Sequence, residues 1–461
     1  MEEKKLIKNI AIKGLKYVLV FIILICMYMI TLFATSLIPS SWMKENVTKS
    51  SETLEKEGER KSINLGYKEV SAFLFSDALM VNTAYSIDST APLESMLLAR
   101  KNYIPGQTLV VHEDRQNDLG ASAKYIDKYG NVYQTKELYG LMHGDDITDS
   151  YEYARYWHGY LILLRPLLVI TTYQGIRILF LILMIALVGL MIYLIAKKLN
   201  IVMAGIFFLG LLSVNVFAVT QSFNEVLDIF IAIIASIYLL LKKDLEKNIG
   251  INFFVIGSIT VFMDLLTAPL VTLGIPLILY FLLTESKSKT IKENIITLVK
   301  LCACWAVGYA FTWITKWIIT AIICNRPIIQ NALGQAKYRG MSSSVTYLSI
   351  LRRNFLYLSM YVPTTVVGII TIYIIVRLII IRKQEVEFSE NFKKIIPYIF
   401  IGILPFAWYF VMGLHSIIHS FFTYRILAIT VICVFIITVK IFETSNHEKA
   451  KLNEKVEEAK K

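Results

Sequence analysis

Long apolar runs, repeated along the whole chain, fix what this sequence can become. The first, Tyr17 to Ile38, holds 22 residues without a charge. At about 1.5 Å per residue, a helix of that length crosses a hydrocarbon core of about 30 Å. Further runs occupy about 176–196, 200–220, 224–241, 252–266, 268–283, 295–320, 355–381, 394–413 and 423–441. Inside lipid each backbone polar group must be bonded within its own segment, so such runs read as helices. The expectation is a mainly α, polytopic membrane protein of about ten transmembrane helices with a large first extracytoplasmic loop domain. The 252–283 stretch reads as a tight helix pair that turns near Thr267, Ala268 and Pro269, because the residue before a proline resists the helical region.

Composition agrees: 56% of the residues are hydrophobic and only 18% charged. The net charge of +12 on 47 Lys/Arg and 35 Asp/Glu would suggest nucleic acid on a soluble protein. Its distribution says otherwise. Between Pro39 and Arg155 there are 13 basic and 18 acidic residues, so the basic excess lies in short segments between apolar runs. Lys4, Lys5, Lys8, Lys13 and Lys16 precede the first run, and Lys197, Lys198, Lys242, Lys243, Arg382 and Lys383 sit at every second boundary. That alternation marks cytoplasmic loops, placing both termini inside a cell membrane and excluding nucleic acid as a partner. All five cysteines lie in or beside apolar runs, so no disulfide framework holds the long loop.

Four regions follow: a cytoplasmic start and first anchor (1–38), an extracytoplasmic loop domain (39–154), an interfacial helix with the transmembrane bundle (155–442), and a charged cytoplasmic tail (443–461). Within the loop, Ser50 to Lys61 reads as a charged helix or linker and the later part as a small mixed domain. Arg155 to Tyr173 is apolar but carries Arg155, His158 and Arg165; counting it as a span would put Lys197 and Lys198 outside, so it reads as an interfacial or re-entrant helix. No Walker loop or dinucleotide fingerprint is present.

Charges in or near spans are costly and mark function by default. Here they gather at one end of the helices, leaving the middle of the bilayer nearly free of charge. Glu225 and Asp228 begin one span, Asp264 sits at the tip of the helix pair, and His415, His419 and Arg425 occupy the last outer turn. An ion-coupled transporter would place ionisable groups near the midplane. This pattern suits an enzyme site at the outer surface instead. Ser76-Asp77 early in the loop, the block Tyr153-Ala154-Arg155-Tyr156-Trp157-His158 with Leu164-Arg165-Pro166, Phe262-Met263-Asp264-Leu265 and the stretch His415 to Arg425 resemble the GT-C class of membrane glycosyltransferases. The resemblance implies transfer of a sugar from a polyprenyl-phosphate donor to an envelope glycan, lipid or protein acceptor outside the cytoplasm. The acidic signature of that class is often paired, whereas Asp77 has no adjacent acid.

On this reading Asp77 is the candidate general base, or else starts a helix as a cap. Arg425, His415, His419, Arg155, His158 and Arg165 are candidates for holding the donor phosphate, since Arg grips phosphate oxygens as a fork. His415 and His419 are four residues apart, so if helical they share a face; the alternatives are hydrogen bonding between helices for these two, and interfacial anchoring for Arg155, His158 and Arg165. Asp264, Asp145 and Asp146 are supporting acids; the adjacent pair Asp145-Asp146 suits a divalent cation such as Mg or Mn, or a solvated turn. A lipid-linked glycan flippase or a glycan polymerase are the alternative functions.

Overall fold

The computed structural model describes residues 2–64, 69–103, 133–145, 149–285, 290–340, 345–359 and 388–441. These are mainly helical, and six helices are long and apolar enough to cross a membrane: Ala11–Ser36, Tyr173–Lys198, Phe223–Leu241, Ile291–Cys324, Lys394–Val411 and Ser420–Ile441. The chain is thus built as a polytopic membrane protein. The first of these segments belongs to α1 (Glu2–Ser36); the next two are α7 (Tyr173–Lys198) and α9 (Phe223–Leu241), with α8 (Ile201–Leu212) between them.

Three runs that the sequence offers as spans form shorter helices. α8 has 12 residues, while α10 (Ile249–Met263) and α11 (Leu270–Thr284) have 15 each. Such helices reach only about 18 to 22 Å. Most of α10 and nearly all of α11 are buried against other helices, so protein rather than lipid surrounds them. The run at 355–381 lies mostly outside the described residues, as does the charged tail. Among the described residues, helix length therefore supports six spans.

The α10–α11 turn falls where the sequence places it, at 264–269. Asp264 ends α10 and accepts the Thr267 N–H at 2.9 Å with both carboxylate oxygens, while Leu266 takes a left-handed φ of 70°. α10 packs on α12 (Ile291–Cys324) through two glycines: a Cβ on Gly257 would strike the Trp305 carbonyl, and one on Gly308 the Phe254 carbonyl. Small residues at such a crossing let two backbones approach closely, which drives association where lipid removes the hydrophobic incentive.

The described part of the segment after α1 mixes short helices and strands, and the glycine-containing stretch 104–132 lies outside the described residues. The described part contains α2 (Lys44–Glu57), the antiparallel ribbon β1 (Arg60–Asn64) and β2 (Glu69–Phe73), then α3 (Phe75–Ser86) and α4 (Pro92–Leu98). β3 (Lys101–Tyr103) pairs antiparallel with β4 (Asp149–Tyr151), and α5 (Gln134–Met142) lies between them in sequence. This domain and the segment that follows it are fastened to α12. Trp313 and Trp317 donate their indole N–H to the Arg155 carbonyl at 2.7 and 2.9 Å, and Trp157 donates to the Thr312 carbonyl at 2.7 Å. Lys316, fully buried, donates to the Leu97 carbonyl at 2.7 Å in the last turn of α4, where the helix dipole favours a cation.

The helix expected from Arg155 to Tyr173 is shorter. Only α6 (Leu161–Ile170) is helical, because His158 adopts a left-handed φ of 56° and the Gly159 N–H bonds the Phe262 carbonyl at 2.8 Å. Arg155 and His158 consequently do not share a helical face.

Candidate functional site

A cavity of about 930 Å³ opens between the loop domain and one end of the bundle. That volume lies within the range of about 300–1,000 Å³ usual for small-molecule sites. The loop domain supplies Glu59, Arg60, Phe73, Ser76 and Tyr153, and the following segment Arg155. The bundle supplies Asn224 at the start of α9, Leu265 in the α10–α11 turn, Arg339 at the end of α13 (Ile328–Arg339), and His415, His419, Phe421 and Phe422. Of the residues nominated from sequence, Arg155, His415 and His419 therefore reach the wall.

Glu59 is the carboxylate on that wall. Its Oε1 accepts the Thr135 N–H at 2.8 Å and the Thr135 hydroxyl at 3.0 Å, capping the first turn of α5. Burial pushes its carboxyl above the usual range, and the nearby Glu137 adds to the rise, while the Thr135 bonds oppose it. Behind it, the fully buried Lys101 pairs with Glu137 at 3.1 Å and Gln134 at 2.9 Å. A carboxyl lifted toward neutrality is what acid–base work requires.

Aromatic faces line much of the remainder. Phe73 stacks on Phe421 with centroids 3.7 Å apart, and the Arg60 guanidinium lies 4.5 Å over Phe73. Arg155 sits 4.6 Å over Tyr153. The two late histidines face each other as their spacing predicts, with ring centroids 4.7 Å apart, and His419 stacks on Phe422 at 5.1 Å. His415 is buried, with both ring nitrogens engaged: Nε2 meets the Leu266 carbonyl at 2.8 Å and Nδ1 meets Arg339 Nη1 at 3.0 Å. A carbonyl only accepts and a guanidinium only donates, so the ring is the neutral tautomer protonated on Nε2. Burial, together with the neighbouring His419 and Arg339, holds its pKa well below the usual histidine range.

Asp77 lies beneath the cavity rather than on its wall. It is completely buried, and its Oδ1 accepts the Asn224 N–H at 2.9 Å. Tyr173 Oη accepts the Phe223 N–H at 3.0 Å and Ser222 Oγ the Glu225 N–H at 3.2 Å. Three orphan donors at the start of α9 are thus satisfied by three side chains, and the carboxylate faces the positive end of the helix dipole. Asp77 caps, but it caps α9 rather than its own helix, whose N-cap position is Leu74. Asp77→Asn keeps an acceptor for Asn224 and loses the charge. It is expected to cost about 1 kcal/mol in thermal stability and to leave the chemistry of the cavity within a few-fold of wild type. A loss of activity a hundredfold or greater in a folded Asp77→Asn protein would return the base to Asp77.

The remaining candidates are placed as follows. Arg425 pairs with Glu225 at 2.8 Å below the cavity floor, both side chains 2% exposed. Arg165 clamps three backbone carbonyls, those of Thr35, Ile38 and Ala84, and so ties α6 to the end of α1 and to α3. His158 is buried away from the cavity between the Tyr153 carbonyl and the Tyr160 hydroxyl. Asp264 shapes its turn alongside Asp228, which accepts the Ala268 N–H at 2.7 Å. Asp145 closes the end of α5 through its N–H to Gly140, and Asp146 lies outside the described residues. Among the described residues no three His, Cys, Asp or Glu side chains gather as cation ligands.

No family model matches the chain, and neither a curated protein nor a solved structure does.

The site must accordingly be judged on its own chemistry. It gathers residues to which the sequence reading assigns no role in the site: Glu59, Arg60, Tyr153 and Arg339. Glu59 sits in a run of charged residues that looks like solvated helix, and only the turn from α2 into β1 brings it to the wall. Arg339 had a signal, being a cation in the last turn of a helix beside the charged end of the bundle, but nothing in its spacing singles it out from Lys337.

Proposed function

We propose that the protein is a membrane glycosyltransferase of GT-C type, which moves a sugar from a polyprenyl-phosphate donor to an envelope glycan, lipid or protein acceptor on the extracytoplasmic side. The observation that carries this reading is the cavity where the loop domain meets the bundle. There a carboxylate, three arginines and several aromatic faces converge at the end of apolar helices. A lipid-linked donor needs all of these: an apolar surround for its tail, cations for its phosphate, and ring faces for its sugar.

In this reading Glu59 takes the proton of the acceptor hydroxyl, and the hydroxyl oxygen forms the new bond to the anomeric carbon. The bond from that carbon to the phosphate oxygen breaks, and its electron pair leaves on the polyprenyl phosphate, which Arg155 and Arg339 stabilise. Attack and departure on opposite faces invert the sugar. No step needs a cation bound by the described acids.

The test is the envelope glycan made by cells carrying each variant, followed by mass spectrometry over time. Glu59→Gln is expected to slow product formation about a hundredfold, the lower end of what a general base contributes. Arg155→Gln is expected to slow it about tenfold, the loss of one charge-assisted hydrogen bond. Glycan identical to that of wild type in both variants, with the proteins present in the membrane, would overturn the proposal.

A further inference from the structure

Of the three arginines that line the cavity, only Arg60 is exposed; Arg155 is buried and Arg339 half-buried. The backbone fixes where Arg60 stands. Gly58 ends α2 with a left-handed φ of 71°, which turns the chain toward β1, and Arg60 is the first residue of that strand. The pairing of β1 with β2 sets Arg60 directly opposite Phe73. Side chains opposite one another in an antiparallel pair meet across the ribbon, and the guanidinium accordingly lies 4.5 Å over the Phe73 ring.

That ring is held on its other side. Phe421 stacks on it with centroids 3.7 Å apart and an interplanar angle of 25°, so Phe421 takes one face and leaves the other to Arg60. The bundle holds the ring, and the ring holds the arginine. Among the described residues the guanidinium has no ion-pair or hydrogen-bond partner. Contact with a ring face uses none of the N–H donors, which lie in the guanidinium plane, so the fork stays open to an anion. An exposed cation with unspent donors on a rigid platform is preorganised for binding.

Its neighbour in the chain is Glu59. Both line the same wall from adjacent positions, their Cα atoms about 3.8 Å apart, so a ligand whose hydroxyl meets Glu59 passes beside Arg60. We propose that Arg60 sets the specificity for the acceptor, by binding an anionic group that the acceptor carries close to its reacting hydroxyl. This rests on the reading of Glu59 as the base, and it leaves the donor phosphate to Arg155 and Arg339. An uncharged acceptor reacts by the same route but needs a higher concentration to fill the site.

The test uses purified protein in detergent micelles saturated with decaprenyl phosphate, and compares its affinity for glucose 6-phosphate with that for glucose. The two sugars differ only in the anion, and the lipid fills the place of the donor's own phosphate. The wild-type protein is expected to prefer the phosphorylated sugar about tenfold, the yield of one charge-assisted hydrogen-bonded pair. Arg60→Gln is expected to bind the two sugars within about twofold of each other. Arg60→Lys, which keeps the charge without the fork, and Phe73→Leu, which removes the platform, are each expected to retain a preference of about threefold. The Arg60 side chain is exposed, so both Arg60 variants are expected to keep the wild-type thermal midpoint.

A tenfold preference that survives in Arg60→Gln would overturn the proposal. So would a wild-type protein that binds the two sugars alike or binds neither, and these results would leave the glycosyltransferase reading standing. A preference seen only without decaprenyl phosphate would put the anion in the donor's place and overturn the proposal as well. A wild-type protein that does not bind decaprenyl phosphate would remove that reading and this inference together.

Discussion

Replacing Arg425 by methionine is expected to lower stability by about 3 to 5 kcal/mol, the usual result of removing one partner from a buried ion pair. Arg425 Nη2 and Glu225 Oε2 are 2.8 Å apart, and both side chains are 2% exposed. They lie 200 residues apart in sequence and join the first turn of α9 to the 3-10 turn Tyr424–Leu427 in the closing helix Ser420–Ile441. Without the guanidinium, the Glu225 carboxylate is left in a dry setting with Asp77 as a neighbour of like charge. The double variant Glu225→Leu with Arg425→Met removes both charges and is expected to recover more than half of the loss. Thermal unfolding in detergent separates these outcomes. A single variant as stable as wild type would mean that the pair holds nothing together. The result also bears on function, since loss of glycan in an Arg425 variant reports a damaged fold unless its thermal midpoint is intact.

Acid is expected to loosen the segment that carries Arg155 into the cavity. Burial holds the His158 pKa down at about 3 from an ordinary 6.5, with the charges on Lys316 and Arg155 adding to the fall. Folding therefore favours the neutral ring, whose stabilising effect is complete above about pH 6.5 and is lost as pH falls toward 3. A shift of that size amounts to about 4 to 5 kcal/mol across the whole window, at about 1.4 kcal/mol per pH unit. Glu59 and Asp77 shift the opposite way, upward through burial, so their protonation favours the fold as pH drops. A fall in thermal midpoint between pH 6.5 and 5 is thus assigned to histidine. His158→Gln, which keeps a donor for the Tyr153 carbonyl and cannot titrate, is expected to make the fall in that range smaller, the remainder belonging to His415, whose pKa is also held down by burial. Parallel profiles for wild type and variant would refute the assignment.

What the sequence revealed depended on the range of the interaction involved. Membrane character, the helix break at 264–269 and the facing histidines are set by neighbours within a few residues, and all could be read from the chain. The lengths of α8, α10 and α11 were not legible, because an apolar run does not say whether lipid or protein will surround it. The residues of the cavity were partly legible. Arg155, His415 and His419 stood out because charge is conspicuous among apolar residues. Glu59 did not, because one more acid after Glu52, Glu55 and Glu57 carries no mark. The duties of Asp77, Arg165 and Arg425 were set by partners 81 to 200 residues away. No local pattern encodes such distances.

With 34 residues, α12 is about 51 Å long, some 20 Å more than a hydrocarbon core requires. The bonds between Thr312, Trp313, Lys316 and Trp317 and the loop domain with the segment that follows it fall about 30 to 40 Å along it. α12 therefore works as a ruler, setting the height at which the roof of the cavity stands above the lipid. That height is a constant of the protein, while the level of a lipid headgroup is a property of the membrane. On the proposed reading, a bilayer several ångströms thicker would carry the donor phosphate past Arg155 and Arg339. Acyl-chain length would then become a determinant of reactivity under that proposal.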